Sequence, residues 1–151
     1  LSRRRFDTPE AMAIARAVDR YRVPVLVHTF GSALESPWNV LPAAKANPDV
    51  PFILGHMGGE AWSEGARVGR EAPNLYLELC SSWTDPEKVR AAIDAVGPER
   101  VLFGTDANLF TLAHMVGALE DAGLSGDELR LVMGGNARRL FPDVARMLGE
   151  E

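Results

Sequence analysis

The chain has 151 residues, 46% of them hydrophobic and 25% charged, with a formal net charge of -5 and a pI near 5.2. That length suits one domain, residues 1–151, burying roughly 70% of its unfolded surface, and the composition excludes a disordered chain. The acidic balance argues against nucleic acid as a partner, because phosphate recognition needs a basic face.

Arg3-Arg4-Arg5 is the one basic cluster and reads as a solvated terminus. No apolar stretch approaches the ~20 residues that a membrane span requires, and no signal-peptide pattern opens the chain. Cys80 is the single cysteine, so an internal disulfide is excluded. A reducing, cytoplasmic setting is expected, with packing as the role of that thiol.

In chain order, Thr8-Pro9 offers an N-cap with proline at the first helical position. Ala11, Ile14, Ala15 and Val18 then form an apolar stripe. An apolar run at 23–28 reads as a strand buried on both faces. Ser36-Pro37 opens a helix that Pro42 must kink or delay. A second strand is expected at 52–56, followed by a helix whose Gly65, Ala66 and Gly69 let it lie close to the sheet. A third strand spans 75–80. Asp85-Pro86 starts the next helix, with Val89, Ala92, Ile93 and Val96 on its inner face, and Gly97-Pro98 ends it.

The fourth strand is expected at 101–105. Thr111 caps a helix carrying Leu112, Met115, Val116 and Leu119, which Gly123 ends. Ser125 with Glu128 is a candidate capping box, and Asn136 a candidate cap for the last helix. One strand-plus-helix unit recurs every 23–28 residues or so, the rhythm of an α/β barrel or a doubly wound sheet. The four strands are expected to be parallel and in sequence order, with helices covering one face.

Three residues stand at or just past the ends of these strands: His28, His56 and Asp106. Parallel α/β barrels keep their chemistry at that end. Neutral imidazole and carboxylate are common ligands of zinc and similar ions. His28 follows three aliphatic residues and reads equally as a hydrogen-bonded structural histidine or a ligand. His56 precedes Met57-Gly58-Gly59, where glycines permit a sharp turn and close approach to a ligand. A helix cap is the plain alternative for Asp106, but Thr111 is the better-placed cap and 107–110 reads as a loop. Glu78 is a charge within an apolar strand and needs a partner; an ion pair or a supporting role at the site is expected. His114, within a helix, reads as structural or exposed.

Taken together, Val25-Leu26-Val27-His28-Thr29, Leu54-Gly55-His56-Met57-Gly58-Gly59, Leu102-Phe103-Gly104-Thr105-Asp106 and Gly135-Asn136-Ala137-Arg138-Arg139-Leu140-Phe141 resemble the amidohydrolase-related family. These motifs match its barrel strands 5, 6 and 8 and its closing helix. The resemblance implies the C-terminal half of a (β/α)8 TIM barrel and a metal-dependent hydrolase acting on a small molecule. Nonoxidative decarboxylation by the same family is the alternative. It implies His28 as a metal ligand and Asp106 as a carboxylate that binds metal and handles a proton. His56 is implied to orient or activate water, or to be a ligand itself.

A divalent ion, zinc first, is the implied cofactor. The family's first-strand His-x-His has no counterpart here, since the only other histidine is His114. The ligand set is therefore incomplete within this sequence. A fragment beginning at Leu1, dependent on a missing N-terminal half or on self-association, is the expected state. A noncatalytic half-barrel is the third reading.

Overall fold

The computed structural model describes residues 4–21, 23–107 and 109–149, so Leu1, Arg3 and Asn108 lie outside the described residues. Four short strands form one sheet in the order β1-β2-β3-β4: β1 Val25–His28, β2 Phe52–Gly55, β3 Leu75–Glu78 and β4 Val101–Leu102. Every pairing is parallel, with Val25 beside Phe52, Phe52 beside Leu75, and Leu77 beside Val101. Helices α1 Pro9–Asp19, α2 Leu41–Ala46, α3 Trp62–Arg70, α4 Pro86–Val96 and α5 Leu112–Asp121 alternate with the strands. The chain closes with α6 Gly126–Arg130, α7 Asn136–Leu140 and α8 Pro142–Met147.

The helix starts follow from their caps. Thr8, Asp85 and Thr111 each accept from a backbone N–H three residues on, and Ser125 with Glu128 completes the capping box. Pro42 delays its helix: residues 37–39 form a 3-10 turn, and α2 begins at Leu41. All four strands are shorter than the sequence suggests. Pro24 has no N–H to give, and pairing begins with Val25 N donating to Pro51 O at 2.8 Å. Beyond Leu102 the chain leaves the sheet, because Phe103 N donates to Val132 O at 3.1 Å.

Alternation along the strands sorts the core. Phe52, Leu54, Leu75, Leu77 and Val101 join Val68, Val89, Ile93, Met115 and Leu119 in one buried cluster between sheet and helices. Ile53 and Leu102 point to the other face, where Leu140 of α7 packs with them, Tyr76 and Ala137 alongside. Helices therefore do not keep to one face, as the pattern suggested; α7 closes part of the second. That cover does not reach β1. Leu26, paired with Ile53, is 66% exposed while Ile53 is 3%. The α1 stripe is also turned from the expected one, with Ala15 buried, Met12 packed at the core and Ile14 exposed.

Buried polar side chains tie the layers at the end of the sheet opposite the strand tips. Asn74 donates to Ala44 O, Asn47 O and Val50 O at 2.8–3.1 Å. Arg100 donates to the carbonyls of Gly69, Ala72, Leu75 and Val96. Burial pushes the Arg100 guanidinium below its ordinary pKa. Asn136 is not a cap. It begins α7 fully buried and donates to Pro98 O and Val101 O at 2.7 Å, binding that helix to the base of β4. Close approach also sets α3: a Cβ on Gly65 would lie 2.0 Å from Met57 O. The expected small-residue face exists because the β2–α3 turn passes directly under it.

Candidate metal and catalytic site

The turn after β2 carries the most unusual backbone among the described residues. His56, Met57, Gly58 and Gly59 have φ of 63°, 50°, 93° and 53° in succession. The two glycines adopt such values freely, whereas His56 and Met57 bear a steric cost. Asp106, at φ 47°, is the third non-glycine residue with positive φ among the described residues. Two of the three residues singled out from sequence thus hold a conformation that surrounding contacts must enforce. Strain of this kind concentrates at functional sites.

Glu78 supplies the enforcement at His56. It lies at the tip of β3, and its Oε2 accepts from His56 N at 3.1 Å while Oε1 accepts from Cys80 N at 2.9 Å. The Cys80 thiol adds a third bond, donating to Oε2 at 2.8 Å. Among the described residues it has no ion-pair partner: the charge is satisfied by hydrogens from the tips of β2 and β3. Gly104 faces the same carboxylate, and a Cβ there would sit 1.8 Å from Oε1. Any larger residue would drive Glu78 off these bonds.

The imidazoles are ordered by what each nitrogen meets. His56 Nδ1 lies 2.5 Å from Cys80 O, which only accepts, so Nδ1 carries hydrogen. In the neutral ring Nε2 is then a lone pair, and it lies 3.0 Å from His28 Nδ1. His28 Nε2 faces outward to Glu35 Oε1 at 3.6 Å, and Ser32 Oγ donates to the other Glu35 oxygen at 2.7 Å. Phe30 lies parallel to His28 and edge-on to His56. A cleft of about 230 Å³, lined by Phe6, Leu26, His28, Leu34 and Glu35 among others, opens beside His28.

His28 ends β1, while His56 and Asp106 follow β2 and β4, and all three lie at the same end of the sheet because every strand runs in the same direction. Among the described residues, one group of three candidate ligands has donor atoms all within 4.8 Å of one another: His56, Cys80 and Asp106. His28 is not in that trio but touches it through His56. Cys80 is the residue that sequence reasoning assigned to packing. It is only 6% exposed, yet it lies among the site's polar groups. Its signal was positional, since it too stands just past an apolar run. Burial first, then the neighbouring Glu78 charge, pushes its thiol pKa up. His114 is exposed on α5, away from this set of contacts.

A family model described as amidohydrolase matches residues 2–142. The chain belongs to the amidohydrolase family. No curated protein matches this amidohydrolase chain significantly. Among solved structures it is similar to 5-carboxyvanillate decarboxylase LigW from Sphingomonas paucimobilis, at 20% identity and a TM-score of 0.72 over 91% of this chain and 55% of that one. A dihydroxybenzoic acid decarboxylase from Polaromonas sp. JS666, crystallised with manganese and 2-nitroresorcinol, matches at 19% identity and TM-score 0.71, over 91% and 55%.

An amidohydrolase from Burkholderia multivorans, crystallised with zinc, matches at 19% and 0.68, over 90% and 58%. The fold is that of four consecutive strand–helix units of a TIM barrel, and the chain spans a little over half the length of the structures it resembles. Among the described residues no helix is long and apolar enough to cross a membrane.

Proposed function

We propose that this chain carries the strand 5 to strand 8 side of a metal-dependent active site that hydrolyses a small molecule. The observation that carries the reading is the gathering of His28, His56 and Asp106 at one end of a parallel sheet, two of them on strained backbone. The donors suit a divalent ion: a His56 nitrogen lies within 4.8 Å of an Asp106 carboxylate oxygen, and His56 Nε2 lies 3.0 Å from His28 Nδ1. His56, Asp106 and His28 would hold it. When bound, such an ion supplies Lewis acidity that makes water a usable nucleophile near neutral pH.

The chain's own residues supply the rest. The Cys80 carbonyl keeps hydrogen on His56 Nδ1, so the Nε2 lone pair faces the site. Asp106, held at positive φ, presents a carboxylate that accepts a proton from the nucleophile and returns it to the leaving group. Glu35 steadies the outer nitrogen of His28.

A second reading is nonoxidative decarboxylation, favoured by the decarboxylases among the similar structures. Here Asp106 would instead deliver a proton to the carbon that loses carbon dioxide. The test is a zinc- or manganese-loaded protein assayed against small amides, esters and lactones on one side and hydroxybenzoates on the other. Turnover confined to the first panel, depressed at least a hundredfold by Asp106→Asn, supports hydrolysis, in line with the 10²–10⁴-fold typical of positioned acid–base groups. Turnover confined to the second supports decarboxylation, and turnover indifferent to Asp106→Asn refutes the assignment.

A further inference from the structure

We propose that Cys80 joins His56 and Asp106 as a direct metal ligand, making this a mixed nitrogen, sulfur and oxygen site selective for zinc over manganese. The inference deepens the proposed metal-dependent reading and rests on it. Nothing in the family resemblance assigns a ligand to the β3 tip; the geometry does.

The three donors come from three separate strand ends and lie within 4.8 Å of one another. Ligands about 2.0–2.3 Å from a tetrahedral zinc stand roughly 3.5 Å apart, so side-chain rotations that turn His56 Nε2 toward the other two donors close the trio around one ion. A cysteine kept for packing has apolar neighbours around its sulfur. Cys80 instead has Sγ 3.4 Å from His56 Nδ1 and donates its proton to Glu78 Oε2 at 2.8 Å. The same residue's carbonyl orients the His56 ring, so one turn of chain fixes two of the three donors.

Binding would exchange S–H for S–metal. The released proton has a path already drawn, along the existing hydrogen bond to the Glu78 carboxylate and from there to solvent. No oxidant or reductant is needed. Cys80 is 6% exposed and stands beside the site. A thiolate in the set changes metal preference, since soft sulfur favours zinc and cobalt over the harder manganese. Asp106 and His56 alone would discriminate less.

The experiment uses the purified protein titrated with Zn²⁺, Co²⁺ and Mn²⁺ separately, followed by equilibrium dialysis and metal analysis. Cobalt provides the decisive spectrum, because a thiolate ligand gives a sulfur-to-cobalt charge-transfer band in the near ultraviolet. The expected result is one equivalent of cobalt with that band present, and bound zinc protecting Cys80 from alkylation. Cys80→Ser should remove the band and weaken zinc roughly tenfold or more while changing manganese much less.

The band and the alkylation protection are read on the unmodified protein, so a Cys80→Ser variant that folds poorly does not decide the matter. One equivalent of cobalt without the band, and zinc that leaves Cys80 freely alkylated, overturns the inference and leaves the proposed function standing. Failure to retain zinc or cobalt at all overturns both.

Discussion

Glu78 offers the sharpest test of how the fold holds the site. Glu78→Gln keeps the side chain's shape but exchanges one accepting oxygen for an NH₂ group. The carboxylate accepts from His56 N at 3.1 Å and Cys80 N at 2.9 Å, with the weak thiol donor as a third. A hydrogen bond to a charged group contributes about 1.5–3 kcal/mol, and a neutral one about 0.5–1.5.

The amide can satisfy only one of the two N–H groups, and at reduced strength; the other then faces a second donor. Removing a half-buried charge returns part of that loss through a smaller desolvation cost. The net expectation is a destabilisation of about 2 kcal/mol. Urea denaturation followed by circular dichroism gives this value, and hydrogen exchange gives its location. The His56 and Cys80 amides should lose protection while Leu54 keeps its own. A variant within about 0.5 kcal/mol of the parent, the size of an ordinary surface change, with both amides still protected, would refute the reasoning.

Other outcomes follow from particular contacts. Gly65→Ala should cost about 1–3 kcal/mol in thermal or urea melts, because its Cβ would meet the rigid Met57 carbonyl at 2.0 Å. Gly117→Ala in α5 should gain about 0.5–1 kcal/mol by the same measurement, since nothing lies within 4 Å of that Cβ. The Arg90 hydrogen bond, with help from Ser125, holds the Glu128 carboxyl down at about 2, against an ordinary value of 4.5. Because the folded pKa is the depressed one, this contribution to stability is complete above the ordinary value and is lost as pH falls from there through about 2. Glu128→Gln should flatten the midpoint-versus-pH curve in that window and leave its shape near neutrality unchanged. Leu26→Lys, on the uncovered end of the second sheet face, should reduce concentration-dependent association in light scattering if that face drives it.

Strand order, direction and helix starts were legible in the sequence because each rests on local chemistry: apolar runs, and caps such as Thr8, Asp85 and Ser125. His28, His56 and Asp106 were legible as strand-end residues for the same reason. Other features depended on partners distant in the chain. Asn136 looked like a cap, yet its amide is bound to carbonyls 35 and 38 residues earlier. Glu78 read as either half of an ion pair or a support for the site, and only its partners, the backbone hydrogens of His56 and Cys80, decide for the second. Cys80 had no histidine near it in sequence; the parallel pairing of β2 with β3 brings His56 beside it across 24 residues. The fold of α7 onto the second sheet face came from Leu140 meeting Ile53 and Leu102, a contact that no single-helix periodicity encodes.

The central claim is that the strand tips build a metal centre on His56 and Asp106. Zinc stoichiometry by equilibrium dialysis tests it most directly, comparing the parent protein with the double variant His56→Ala/Asp106→Asn and with His114→Ala as a control on the exposed face of α5. With an incomplete ligand set and therefore weak affinity, the account predicts about one zinc per chain at saturating zinc in the parent and the control and almost none in the double variant, with unchanged circular dichroism in all three. Equal zinc binding by the double variant and the parent would contradict it.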